Sequence, residues 1–309
     1  MSALEQQLAD YLAVRRALGY KLERAGKLLA QFVSYLDATH ADTITTQRAL
    51  AWATLPPGSQ SNWHAQRLSA IRGFAAHVHS IDPACEVPPA DLLARRPRRT
   101  TPYLYSDEQI AALIAAAATL ATAHRTATLR ALIGLLSVTG MRVGEAIGLD
   151  RGDVHFDYGA LVVRNSKFGK SRELPLHPST VDALRRYLRR RDRPRPAQPT
   201  PALLVSAAGT RLVYCNVHYA FGLIIARAGL QPRSASCRPR LHDLRHSFAV
   251  RTVLDAYGAG ADVQARLPLL STYLGHVNPS ATYWYLQAAP ELLALAGERL
   301  EHHLDSRPR

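Results

Sequence analysis

The chain is 309 residues long, 47% hydrophobic and 20% charged, with 38 Lys and Arg against 24 Asp and Glu, a formal net charge of +14. This composition excludes bulk disorder, and the length exceeds what one hydrophobic core usually organises, so two domains are expected. Residues 1–95 hold 9 basic and 8 acidic side chains and residues 96–309 hold 29 and 16. The excess therefore lies in the second part and favours a polyanion there, nucleic acid being the common one, with a plain solubility surplus as the alternative.

Cys85, Cys215 and Cys237 are odd in number and scattered, which argues for a reducing compartment and against a disulfide framework. The N-terminal MSALEQQLADYLAVRR lacks the apolar stretch of a signal peptide, and the most apolar run, Ile110–Ala123, is shorter than the roughly 20 residues a membrane span needs. A cytoplasmic protein without a membrane partner is expected.

The first part reads as four helices. Leu4, Leu8, Tyr11, Leu12 and Leu18 recur at helical spacing up to Gly19, and Leu28, Leu29, Phe32, Val33 and Leu36 mark a second helix. Thr45 or Thr46 can cap a third, which stops before Pro56-Pro57-Gly58. The fourth starts near Ser61 and turns Trp63, Leu68, Ile71, Phe74 and Val78 inward. A domain over residues 1–84 follows. Residues 85–102, rich in proline and arginine and including RRPRR (Arg95–Arg99), read as a linker, either simply solvated or tracking phosphates.

Residues 103–309 form the second domain. Ser106 and Gln109 make a capping box ahead of an alanine-rich helix. Another helix runs to Gly140, and a short one follows in MRVGEAIGL. ALVVRNSKFGKSRELPL alternates apolar and polar residues on both sides of a Gly-containing turn, which predicts a β-hairpin. PSTVDALRRYLRRRD is a helix with a basic end over Arg185–Arg191, a solvated face or a phosphate contact, and YCNVHYAFGLIIARAGL is a further helix closed by Gly229. The expected fold is mainly α with a small β-hairpin or sheet.

Five places carry chemistry: Arg142 after Gly140, Lys167 in the hairpin turn, the stretch HDLRH with His242 and Arg245, Gly275-His276, and the aromatic run Tyr283-Trp284-Tyr285. Each has a plain reading. Arg142 pairs with Glu145 one turn on, Lys167 and Lys170 are ordinary turn residues, the tyrosines are packing aromatics, and His242 with His246 is half of a zinc site. No third ligand stands at a convincing metal spacing.

Taken together, TGMRVGEAIGL, a hairpin lysine, HDLRH, LGH and a tyrosine nine residues after that histidine resemble the catalytic domain of the tyrosine recombinases, the integrase family that includes chromosome-dimer resolvases and transposon recombinases. The order and spacing of these boxes match over residues 103–290. The first part is similar to the family's four-helix core-binding domain in type and length, so the resemblance implies that domain followed by a mixed α/β catalytic domain.

The chemistry needs such groups. Breaking a phosphodiester without metal takes a nucleophile, a charge clamp and a proton donor. A phenol with pKa ~10 must lose its proton as it attacks. Guanidinium, always charged and forked, suits the phosphorane oxygens, and a lysine or histidine can protonate the leaving oxygen. The first turn of a helix, where His242 and Arg245 stand, also favours an anion.

The resemblance implies that Arg142 and Arg245 clamp the scissile phosphate of double-stranded DNA and that Lys167 is the general acid for the 5′-oxygen. His242 assists proton transfer, and His276 hydrogen-bonds a phosphate oxygen. Tyr285 attacks to form a 3′-phosphotyrosyl bond, with Glu145 and Asp243 as orienting residues. Lys170 competes with Lys167 and Tyr283 with Tyr285. No cofactor and no metal are implied. A homotetramer on DNA is, with Leu292, Leu293, Leu295 and Leu300 of the C-terminal tail docking on a neighbour or folding back, and an accessory recombinase is a further partner. Absence of an extra N-terminal arm-binding domain leans towards a mobile-element integrase. A type IB topoisomerase-like relaxing activity and a catalytically silent sequence-specific DNA-binding protein are the alternatives.

Overall fold

The computed structural model describes residues 2–55, 61–93, 101–120, 122–164, 169–193 and 200–276, together with Thr282 and Gly297. The chain divides into two compact units, Met1–Arg99 and Thr100–Arg309. Among the described residues no helix is long and apolar enough to cross a membrane.

The first unit packs α1 (Ala3–Ala17), α2 (Glu23–Ala38), α3 (Thr46–Thr54) and α4 (Ser61–His79) around Phe32, Leu36, Ile44, Ile71 and Phe74, all fully buried. Local signals set the ends. Gly19 takes φ 86° after α1, and the Thr45 side chain caps α3 by accepting from the Arg48 N–H at 3.2 Å. Residues 85–93, which composition places in the linker, begin against this bundle. Cys85 is buried, Glu86 accepts from the Thr46 N–H at 2.7 Å, and Arg72 donates to the carbonyls of Pro88 and Pro89.

The second unit is built on α6 (Ala123–Thr139), against which α5 (Asp107–Ala117), α8 (Pro178–Asp192) and α10 (Asp243–Gly258) pack. The predicted capping box at Ser106 and Gln109 forms in both directions. A short helix, α7 (Val143–Gly148), leads into a sheet, and α9 (Tyr214–Arg227) and α11 (Val263–Leu274) complete the unit.

The predicted hairpin is β2 (Ala160–Val163) and β3 (Arg172–Pro175), antiparallel with Val163 opposite Arg172. A third strand, β1 (Val154–His155), pairs with β2 and makes a three-stranded antiparallel sheet. Two residues are too few to show an alternation, so nothing along the chain signals it. Helix α11 is equally hidden, because Pro268 inside it interrupts a helical reading.

Candidate active site

The two arginines of the expected clamp are set by helix ends. Helix α6 stops at Gly140 (φ 58°) and α11 at Gly275 (φ 69°), both in the left-handed region that glycine tolerates. The last carbonyls of a helix lack intrahelical donors and carry the negative end of its dipole, so they attract cations. Arg245, the third residue of α10, donates Nη1 to the Gly140 carbonyl at 2.7 Å and Nη2 to that of Leu274 at 2.6 Å. Arg142, just ahead of α7, donates Nη2 to the Gly275 carbonyl at 3.2 Å. The TGMR and LGH boxes thus bring both guanidiniums to consecutive carbonyls, Leu274 and Gly275. Arg245 is buried, whereas the Arg142 side chain is 27% exposed.

His276 lies beside them. Its Nε2 is 2.9 Å from Nη2 of Arg245 and its Nδ1 is 2.8 Å from the Thr282 hydroxyl. Guanidinium can only donate, so Nε2 accepts and the ring carries its proton on Nδ1. As arranged, His276 orients Arg245, and a phosphate oxygen would have to replace that bond and meet a proton on Nε2. Thr282 is buried and stands three residues before Tyr285 in the sequence.

Arg142 does pair with Glu145, as its plain reading has it, Nη1 to Oε1 at 2.9 Å, but Glu145 also takes both terminal nitrogens of Arg172 at 3.1 and 2.8 Å. Sequence reasoning missed Arg172. It sits at the start of β3, 11% exposed, and its Nε donates to the Tyr273 carbonyl. Arg172 ties the hairpin to the clamp. Burial would push Glu145 up, but the hydrogen bonds from Arg172 and Arg142 outweigh it and hold the carboxyl below its ordinary range. The only sequence signal was an arginine opening a strand, which is not diagnostic.

Asp243 takes its hydrogen bonds from Arg240 and not from the clamp arginines. Fully buried, it receives the fork of Arg240, Nε to Oδ2 at 3.0 Å and Nη2 to Oδ1 at 2.9 Å, and also the Arg240 N–H. Ser247, accepting from the Tyr105 N–H and donating to the Asp243 carbonyl, pins this helix start to the segment that leads into α5. In the opening turn of α10 the N–H groups of Asp243 and Arg245 bond to the Arg240 and His242 carbonyls, and Arg245 and His246 are buried.

The histidines are held neutral. Burial first, then Arg245, Arg142 and Arg240, push His242 down to about 4; burial, then Arg245, Arg142 and Arg172, bring His276 to about 4. Burial and His242 lower His246 to about 3. Folded values below the unfolded ~6.5 mean that the unfolded chain takes up protons first as pH falls. Stability is then fully present above pH 6.5 and is lost as pH falls towards 4. The melting temperature is expected to drop across that window, and His246→Gln to lessen the drop, measured by thermal unfolding at a series of pH values.

His242 and His246 stand edge to face with ring centroids 4.9 Å apart, and no group of three or more His, Cys, Asp or Glu among the described residues is placed to hold a metal. Lys167, Tyr283, Tyr285, the Arg95–Arg99 run and the C-terminal tail lie outside the described residues, save Gly297. Lys170, just ahead of β3, is exposed.

Two guanidiniums held on helix-end carbonyls beside neutral imidazoles make a cationic cluster suited in charge and geometry to a phosphate. The chain belongs to the phage integrase family, whose model matches residues 104–291. Its activity is that family's, site-specific recombination by DNA strand cleavage and rejoining. It is 42% identical, over 99% of this chain and 100% of the relative, to a protein of Sinorhizobium fredii (strain NBRC 101917 / NGR234) named as an integrase/recombinase, y4rB. It is 29% identical, over 97% and 98% of the two chains, to the tyrosine recombinase XerC of Mycobacterium tuberculosis (strain ATCC 25177 / H37Ra). The fold is shared with the Tn1549 transposon integrase in complex with transposon right end DNA, at 17% identity and a TM-score of 0.64 over 98% of this chain and 99% of that one.

Proposed function

We propose that this recombinase binds double-stranded DNA and cuts it by direct attack of Tyr285 on a phosphodiester, with no metal in the step. The phenolic oxygen bonds to phosphorus, the bond to the 5′-oxygen breaks, and a 3′-phosphotyrosyl link results. Arg142 and Arg245 hold the non-bridging oxygens. Neutral His242 accepts the phenolic proton, and Lys167 delivers one to the departing 5′-oxygen. The 5′-hydroxyl of another strand then reverses the step, so the bond energy is kept. His276 serves first to orient Arg245. The convergence of Arg142 and Arg245 on the adjoining carbonyls of Leu274 and Gly275 carries this reading.

The first unit is read as the core-binding domain, which binds the duplex as well. Exchange between two duplexes needs four active sites, so a homotetramer on DNA, joined through the tail and assisted by an accessory recombinase where one is required, follows from the same reading. A lambda integrase of the same fold is recorded as a tetramer bound to a Holliday junction, at 19% identity and a TM-score of 0.61 over 91% of this chain and 76% of that one. The similarity to a transposon integrase supports a mobile-element role.

Covalent trapping tests the chemistry. Incubated with EDTA on nicked duplexes taken from DNA flanking its gene, the protein should give an SDS-resistant adduct. The adduct should vanish in Tyr285→Phe and persist in Tyr283→Phe. The opposite pattern would move the nucleophile to Tyr283, and tight binding without any adduct would favour a silent DNA-binding protein. Relaxation of supercoiled DNA lacking a second site would favour the topoisomerase-like activity.

A further inference from the structure

Helix α8 carries a second basic feature that the clamp does not use. Arg186, Arg189, Arg190 and Arg193 follow one another at i, i+3, i+4 and i+7, so they form a single stripe, and all four are exposed. The stripe and the first turn of α6, Ala123 and His124, line a recess of about 890 Å³. Among the described residues none of the four arginines makes an ion pair, although other arginines of the same helix do: Arg185 pairs with Asp182 and Arg191 with Asp192. Nε2 of His124 is buried there without a hydrogen-bond partner among the described residues. Arg191, by contrast, is buried on the opposite, core-facing side of the helix with Leu184, Tyr187 and Leu188, and takes no part in the recess.

Like charges at i, i+4 repel one another and cost the helix stability. A stripe of four that pairs with no carboxylate among the described residues therefore marks a surface neutralised from outside the chain. A forked, permanently charged guanidinium matches a phosphodiester, and the positive dipole end of α6, where the Thr122 side chain caps the Arg125 N–H, favours the same ligand. Recess and clamp lie at opposite ends of α6, whose 17 residues span ~25 Å, about seven base pairs of duplex. We propose that the α8 stripe and the first turn of α6 form a second phosphate-binding surface, which takes the backbone of duplex DNA outside the cleaved segment. This rests on the reading of the chain as a DNA recombinase.

The test compares the full-length protein with R186S/R189S/R190S and with the lysine triple variant. Affinity is measured against salt on a long duplex and on a nicked one extending about five base pairs to either side, too short at about 3.4 Å per base pair to reach the recess. On the long duplex the slope of log K against log salt should fall by about 2–3 in the serine variant, at about 0.9 for each phosphate no longer neutralised, and return with lysine. On the short duplex affinity, slope and covalent adduct should stay as in the parent. An unchanged slope on the long duplex overturns the proposal, and so does an equal loss on both duplexes, which would merge the stripe with the clamp's own footprint. Retained DNA binding with loss of polyglutamate binding overturns it in favour of an acidic protein partner. Failure of the parent to bind or cut the short duplex would instead count against the recombinase reading itself.

Discussion

Arg245→Ala should abolish detectable adduct on nicked DNA and also lower the melting temperature, whereas Arg142→Ala should abolish the adduct with little change in melting. The difference follows from burial. Arg245 is 2% exposed and fills the space between three helix ends, donating to Gly140, Leu274 and His276. Its removal leaves those acceptors buried without donors and opens a cavity, which together cost on the order of 2–5 kcal/mol. The side chain of Arg142 is 27% exposed, and Glu145 keeps Arg172 when it is removed. In the proposed mechanism each arginine also stabilises the phosphorane, and losing one such donor slows the step by about 10²–10³. Calorimetry beside single-turnover cleavage separates the two. Equal loss of stability in both variants would mean that the clamp is chiefly structural.

Gly140→Ala should be the more damaging of two glycine substitutions within one element. At φ 58° an L side chain costs about 1–2 kcal/mol, and the new Cβ would run into the ring of Phe248 and press on Leu274. Neither neighbour can yield freely, since Phe248 is stacked on Tyr273 and Leu274 is fully buried. The total is about 2–4 kcal/mol, and relief by backbone shift would carry the Gly140 carbonyl away from Arg245, so cleavage falls as well. Gly134→Ala, inside α6 with open space around it, should be neutral or stabilise by about 0.5–1 kcal/mol. Chemical denaturation of both variants checks the contrast, and equal effects would show that the left-handed turn is dispensable.

Much of this was legible before any coordinates. The capping residues Thr45 and Ser106, the stops at Gly19 and Gly140, and the alternation on both sides of the hairpin act over a few residues, so they can be read along the chain. The spacing of Arg142, His242, Arg245 and His276 marks them as one set, and the structure brings these four together. Lys167 and Tyr285 rest on the sequence pattern.

What the chain order could not show is which group holds which. The bonds that fix the clamp join residues 105 and 133 positions apart, through main-chain carbonyls that every residue possesses and no sequence distinguishes. Arg172 became part of the site only because β3 brings it to Glu145, and Asp243, adjacent to His242 in sequence, was turned to Arg240 by the path of the chain into α10. By itself the sequence determined the helices other than α11, the order of the reactive groups and the family they belong to, because these depend on local propensity and spacing. Only the tertiary structure decided which arginine is buried, which histidine nitrogen is engaged and which arginines of α8 stand apart from any carboxylate among the described residues. Burial and pairing are properties of the folded neighbourhood, where desolvation must be offset by whatever groups the other helices present.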